Sequence, residues 1–96
     1  MLKMDNRYLD KVIAEMQLFF DENGFKSADG VYKNDKKAVA VEYSEERQMY
    51  ILKTADIDEE GNFELAESSS WLFDDSQNEK DAEAVGIDFT ETLKSQ

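Results

Sequence analysis

The first predicted element is an amphipathic helix between Leu2 and Asn23. Its apolar residues recur every three or four positions, which places them on one face of a helix. They are Leu9, Val12, Ile13, Met16 and Phe20. Gly24 suits the left-handed conformation that follows many helices, and Phe25 would then contact Phe20 in a Schellman motif. The pattern therefore predicts both the buried face and the end of this helix.

Beyond this helix, apolar and polar residues alternate, which is typical of β-strands. Four strands are predicted, at residues 30–33, 37–43, 48–57 and 63–73. Turn-forming residues separate them, beginning with Asp29 and Gly30. Short connections between successive strands favour an antiparallel meander.

An even-numbered loop between the second and third strands would pair Val41 with Tyr50. Val39 would then pair with Leu52, so that all four side chains lie on one face of the sheet. The opposite face would carry a second apolar set, consisting of Ala38, Ala40, Met49, Ile51 and Leu72. If the helices cover only the first face, this second face is a candidate for a homodimer or a partner.

A second helix is predicted after Ser76, because Ser76 and Glu79 have the spacing of a capping box. Its apolar face contains Ala82, Val85, Gly86, Phe89 and Leu93. Since Gly86 disfavours a helix by about 1 kcal/mol relative to Ala, it predicts a close approach to the sheet or a kink. The helical pattern runs to Gln96 without a stop signal, which is compatible with the chain being the N-terminal part of a longer protein.

Together these elements predict a single α+β domain over residues 1–96, in the order helix, four antiparallel strands, helix. Leu18 and Ile87 are apolar but are predicted to be exposed, because they fall opposite the apolar faces of their helices. The predicted core consists of Leu9, Val12, Ile13, Met16, Phe20, Val39, Val41, Tyr50, Leu52, Leu65, Trp71, Phe73, Val85, Phe89 and Leu93.

Composition excludes much chemistry, because the 96 residues include no His, Cys or Pro. Zinc sites of the usual ligands, Ser-His or Cys-His nucleophile pairs and redox thiols all need His or Cys. An enzyme built on paired carboxylates would need a deep pocket where two of them converge. We therefore expect a non-enzymatic protein without a cofactor. Without an apolar segment of signal-peptide or membrane-spanning length, a cytoplasmic location is expected.

The net charge of −12 is unevenly distributed. Residues 1–37 are neutral, whereas residues 54–93 contain thirteen acidic residues and one basic residue, Lys80. Nucleic acids and anionic membranes are therefore not expected as partners, since contacts to phosphate need Lys and Arg. We expect instead a protein partner with a basic surface.

The acidic residues that surround the second helix are the predicted partner-binding residues. They are Glu79, Asp81, Glu83, Asp88 and Glu91. The alternative interpretation is a solvated face that serves only solubility.

Residues 56–67 resemble an EF-hand calcium loop, the alternative functional prediction. The candidate ligands are Asp56, Asp58, Glu60, Asn62, Glu64 and Glu67, and Gly61 stands at the position of the sharp turn. The flanking sequence favours a hairpin turn instead. Three serines after Glu67 form helices poorly, and the alternation that continues through Phe73 is that of a strand.

Trp71, Leu72 and Phe73, followed by residues 81–89 and by Thr92 and Leu93, resemble a family of small acidic uncharacterised bacterial proteins. The segment from Tyr8 to Ala55 is also similar, so the resemblance covers most of the chain. It implies no established activity, cofactor or catalytic residue. The combination of small size, acidity and helices on a sheet is also similar to bacterial secretion chaperones, but their order of strands and helices is not matched.

Overall fold

A computed structural model describes residues 5–96, with side chains from Tyr8 onward. The elements are α1 (Asp5–Glu22), β1 (Lys26–Ala28), β2 (Val31–Lys33), β3 (Lys37–Ser44), β4 (Met49–Asp56), β5 (Ala66–Leu72) and α2 (Glu79–Lys94). The predicted α+β class is confirmed, with an N-terminal helix, an antiparallel sheet and a C-terminal helix. The predicted count of four strands is wrong, since the sheet has five, in the order β1-β2-β3-β4-β5. The predicted helix start at Leu2 lies outside the described residues.

The strand missing from the prediction is β1, which forms a hairpin with β2. Ala28 pairs with Val31, so that Asp29 and Gly30 form a two-residue loop. Both have positive φ, 54° and 81°, as a type I′ turn requires. All three residues of β1 are exposed, so this strand has no apolar alternation by which it could be recognised.

The register of β3 with β4 differs from the predicted one by two residues. Val41 pairs with Leu52 rather than with Tyr50, and Val39 pairs with Thr54. The connecting loop has four residues, 45–48. Because a shift of two residues keeps every side chain on its face, the predicted faces are correct although the pairs are not.

The last strand begins at Ala66, not at Phe63 as the alternation predicts. Phe63 and Leu65 instead belong to the loop between β4 and β5. Leu65 is only partly buried and lies outside the hydrophobic core, so its predicted place in the core is wrong.

Both helices pack on the same face of the sheet, and they also pack on each other. The core lies between these layers and consists of Val12, Met16, Phe20, Phe25, Val39, Val41, Tyr50, Leu52, Phe73, Ala82, Val85, Phe89 and Leu93. Leu9, Ile13 and Trp71, predicted to be core residues, are partly buried against it. Apart from Leu65, the predicted core is therefore found in or against the observed one.

The end of α1 confirms the predicted Schellman motif. Gly24 has a φ of 74°. The Phe25 amide donates to the Phe20 carbonyl at 2.9 Å, and the two rings lie 5.5 Å apart between centroids. Local sequence thus determines where α1 stops and where the chain turns toward the sheet.

The close approach predicted at Gly86 occurs, but against α1 rather than the sheet. A Cβ atom at Gly86 would lie 2.4 Å from the carbonyl oxygen of Val12 and 2.7 Å from Cβ of Glu15. α2 is a continuous helix through this position. Glycine is therefore needed because the two helix backbones nearly touch.

The capping box of α2 is formed by Asn78 and Asp81, not by the predicted pair two residues earlier. Oδ1 of Asn78 accepts from the amides of Lys80 and Asp81, at 3.0 and 3.3 Å. The carboxylate of Asp81 accepts from the backbone N–H of Asn78 at 2.9 Å. Ser76 instead donates its hydroxyl to Asp74 at 2.6 Å, and this bond contributes most to lowering the pKa of Asp74.

Candidate functional site

The fold converts the charge asymmetry of the sequence into one of the surface. Because each strand pairs with its neighbour along the chain, the order across the sheet is the order in the sequence. α1 packs against β3, whereas α2 packs against β5. β5 and α2 therefore lie toward one lateral side, whereas the loop 57–65 reaches back toward β2, where the Lys33 ammonium lies 5.4 Å from the ring centroid of Phe63. We call the surface of residues 66–93, which contain eight acidic residues and Lys80, the acidic side.

Two of the five predicted partner-binding residues serve the fold. Glu79 pairs with Lys11 of α1 at 2.7 Å, and their hydrogen bond raises the pKa of Lys11. Asp81 completes the capping box of α2. Both carboxylates thus hold α2 in place, in addition to contributing negative charge.

The other three are distributed around α2. Asp88 lies beside the edge of the sheet, where its Oδ2 accepts from the indole N–H of Trp71 at 2.7 Å. Glu91 is exposed and pairs loosely with Lys94 at 3.8 Å. Glu83 is half-buried and lies near Lys11. The five residues therefore do not converge on one point, although all belong to the acidic side.

The predicted second apolar face is the sheet face opposite the helices. Ala38, Ala40 and Ile51 are buried there. Charged side chains cross this face, including Lys53 and Glu42, which pair at 3.1 Å. Met49 is half-buried, and Leu72 alone of the five predicted residues is exposed. The apolar area available to a second copy on this face is therefore small.

The ends of the calcium-like loop make ion pairs within the chain. Asp56 pairs with Lys37 at 3.2 Å. Glu67 makes a bidentate pair with Arg47 at 3.1 and 3.4 Å, which lowers the pKa of Glu67. Residue 67 lies inside β5, so a strand stands where an EF-hand requires its second helix.

Within the loop, the Asp58 carboxylate organises a turn. Its Oδ1 accepts from the amides of Glu60 and Asn62, at 2.9 and 2.8 Å, and Gly61 has a φ of 87°. Among the side chains that the structure describes, from Tyr8 onward, no group of three or more Asp or Glu side chains could hold a metal ion. The structure thus does not bring the six candidate ligands together, and it supports the hairpin-turn interpretation of the local fold.

A cleft of about 460 Å³ lies at the C-terminal ends of the two helices. Phe19, Phe25 and Leu93 contribute apolar lining; Lys36, Lys37 and Lys94 contribute positive charge; Glu22 is its one carboxylate. A second cleft of about 300 Å³ is lined by Tyr8, Asp10, Lys11 and Glu79. Its two carboxylates share the cleft with the Lys11 ammonium that pairs with Glu79.

β5 is an edge strand, as the predicted meander implies for the last strand. Over residues 5–96, β5 pairs with β4 alone. The Phe73 amide donates to the Gln48 carbonyl at 2.8 Å. Because such bonds alternate along an antiparallel ladder, the amides and carbonyls of Ser70 and Leu72 point away from β4. The Leu72 carbonyl accepts from the Gln77 side chain at 3.1 Å.

No protein-family model, curated protein or solved structure matches this chain in comparison. The resemblance to a family of small acidic bacterial proteins therefore stays a prediction. Among the described residues, neither helix combines the length and the hydropathy that a membrane-spanning segment needs. The candidate site is the acidic side, with β5 at its edge.

Proposed function

We propose that this domain is a non-enzymatic protein-interaction module whose acidic side binds a basic protein partner. The observation that carries the proposal is the segregation of charge. Residues 66–93 contain eight acidic residues and one basic residue, Lys80, and they form β5 and α2 at one lateral side of the sheet. A field of this kind accelerates association with a basic surface and repels anionic ones.

Exposed apolar side chains favour binding over a role in solubility alone. The large apolar side chains exposed in the described residues are Leu18 (68%), Leu72 (59%) and Ile87 (53%). Two of these belong to the acidic side, Leu72 on the sheet face opposite the helices and Ile87 on α2. A binding surface commonly combines charged side chains with exposed apolar ones, whereas a surface that only keeps the protein soluble needs the charged side chains alone.

Neutralising changes on α2 test the proposal without damaging the fold. Glu79 and Asp81 are unsuitable, because both stabilise α2. The test variant therefore combines Glu83→Gln, Asp88→Asn and Glu91→Gln. Its matched control combines three exposed acids of the neutral half and removes the same charge, Asp10→Asn, Glu22→Gln and Asp35→Asn.

The probe is a labelled lysine-rich peptide, followed by fluorescence anisotropy at low and high salt. We expect binding that weakens with salt and that weakens about tenfold in the test variant, since exposed ion pairs contribute about 0.2–1 kcal/mol each. The control should bind like the wild type. Absence of binding, or equal losses in both variants, would contradict a docking function for the acidic side.

A further inference from the structure

The free edge of β5 indicates how a partner would be held. We propose that β5 binds an extended segment of the basic partner by strand addition, so that the segment becomes the sixth strand of the sheet. This inference rests on the proposed function and specifies its binding mode. Strand addition takes its affinity from main-chain hydrogen bonds and its specificity from alternating side chains.

The backbone of β5 offers the hydrogen-bonding groups that this mode requires. Three backbone groups face away from β4: the N–H and carbonyl of Ser70 and the N–H of Leu72. Their direction follows from the pairing of Phe73 with Gln48, because hydrogen-bonded residues alternate along the two strands. The Leu72 carbonyl is occupied by Gln77, which marks the end of the available edge. Serines occupy positions 68–70, and their small side chains leave room for an approaching strand.

The other sheet edge lacks these properties. β1 has three residues, including Lys26, whereas β5 has seven and contains neither Lys nor Pro. Short edge strands, lysines and prolines are the usual protection of an edge against another strand. β5 thus lacks three of the features that protect an edge. Two others are present, the charged residue Glu67 and the irregularity at Ser68, which interrupts the pairing with β4.

The two faces beside β5 define the side-chain pattern of the ligand. On the helix face, Trp71 is held by the Asp88 carboxylate, and the Gln96 side chain lies 3.5 Å from the Ser68 hydroxyl. Glu91 belongs to the segment of α2 between these two contacts. On the opposite face, Leu72 is exposed. A strand added here would place alternate residues next to carboxylates and the rest next to an apolar side chain. Its expected pattern is therefore Lys or Arg alternating with Val, Ile or Leu.

A second copy of this chain is disfavoured as the occupant. Pairing of β5 with its own copy would bring two acidic sides together, and like charges across an interface weaken binding. The same charge attracts a basic segment. Charge complementarity therefore selects a basic extended segment of another protein.

Two peptides of identical composition separate strand addition from simple charge attraction. In the first, Lys and Val alternate; in the second, all Lys precede all Val. We expect the alternating peptide to bind at least about tenfold more tightly in fluorescence anisotropy, because only it presents matched faces. Every second backbone amide of the alternating peptide can be N-methylated in two ways, which we call the two frames. In one frame the methylated amides are those that would donate to β5; in the other they are those that point away from it. One methylated frame should lose binding about tenfold or more, and the other should retain it.

Ser70 provides the complementary protein variants. Ser70→Pro removes a backbone N–H that faces away from β4, at a position where an edge strand tolerates proline. Loss of this donor is predicted to weaken binding of the alternating peptide about tenfold. Ser70→Ala keeps the amide and should bind like the wild type. Far-UV circular dichroism checks the fold, and the methylated peptides decide the question if Ser70→Pro does not fold.

The outcomes distinguish this inference from the proposed function. Preference for the alternating peptide with a frame-dependent effect of N-methylation supports strand addition. Equal, salt-sensitive binding of both peptides and both methylated frames would overturn strand addition while the docking function stands. Lack of binding by every basic peptide would overturn both.

Discussion

Replacement of Gly86 by alanine tests the contact that joins the two helices. The added Cβ would lie 2.4 Å from the Val12 carbonyl oxygen, whereas ordinary contacts begin at 3.4 Å. The helices must therefore separate by about 1 Å. Because the nearest atom belongs to the backbone, rearrangement of side chains cannot relieve the clash. Removing the Glu15 side chain would relieve only the second contact, at 2.7 Å.

Two opposing effects determine the magnitude. Overpacking against a rigid neighbour costs about 3 kcal/mol, the upper part of the usual range. Alanine recovers about 1 kcal/mol of helix propensity relative to glycine. We therefore expect Gly86→Ala to lower the free energy of unfolding by about 2 kcal/mol, equivalent to a fall in Tm of about 8–16 °C for a domain of this size.

Urea denaturation provides the measurement, with fluorescence of the single tryptophan, Trp71, as the signal. Trp71 is partly buried and donates to Asp88, so unfolding changes its surroundings. The matched control is Ala84→Gly, at an exposed position of the same helix, which should lose only about 1 kcal/mol through helix propensity. A Gly86→Ala variant as stable as the wild type, or more stable, would refute the close approach of α1 and α2.

Three further predictions concern the cap of α2, the pH dependence and the calcium-like loop. Asn78→Ala should lower the free energy of unfolding by about 1 kcal/mol through loss of the cap, and Ser76→Ala should lower it by less. A larger loss in Ser76→Ala, measured by thermal unfolding, would favour the capping box predicted from sequence. Because Arg47 lowers the pKa of Glu67, this carboxylate stabilises the folded state above about pH 4.3, the ordinary pKa of Glu, and the contribution is lost as the pH falls through the lowered pKa. Arg47→Gln should therefore lower the urea midpoint at neutral pH and reduce its fall on acidification, whereas parallel pH profiles would contradict this role. Calcium at about 1 mM, where even weak protein sites fill, should leave Tm unchanged, and binding heat in calorimetry would revive the calcium interpretation of residues 56–67.

The helices are the part of the fold that the sequence predicts well. The end of α1 depends on residues adjacent in the chain, Gly24 and Phe25, so local chemistry is sufficient to locate it. The start of α2 is harder, because Ser76 and Asn78 are both acceptable caps and each has an acidic residue three positions later. In the structure Asn78 caps the helix, and the Ser76 hydroxyl donates to Asp74 instead.

The strands show what periodicity leaves undetermined. Alternation assigns Val41 and Leu52 to one face, but a shift of two residues would keep the same faces, so it does not determine their pairing. Phe63 and Leu65 continue the alternation although the chain there is a loop. β1 has no alternation and is specified by the turn that follows it.

The acidic side could be predicted because the positions of charged residues can be read from the sequence. The contacts that its side chains make could not be predicted in this way. The bond between Trp71 and Asp88 joins residues of different elements, and no local pattern signals it. The edge position of β5 follows from the predicted meander, in which the last strand lies at an edge. Sequence thus indicated the acidic half and its edge strand, and tertiary structure identified the contacts between β5 and α2.

The contact between Gly86 and α1 also has a consequence for synthesis of the chain. The strands pair with sequence neighbours, so the sheet has low contact order and can form as the chain emerges from the ribosome. Val12, near the beginning, meets its partner on α2 only after residue 86 has emerged. The apolar face of α1 is therefore fully covered only after α2 has been synthesised. α2 both completes the core and forms part of the proposed docking surface, so the surface becomes available when this domain has folded.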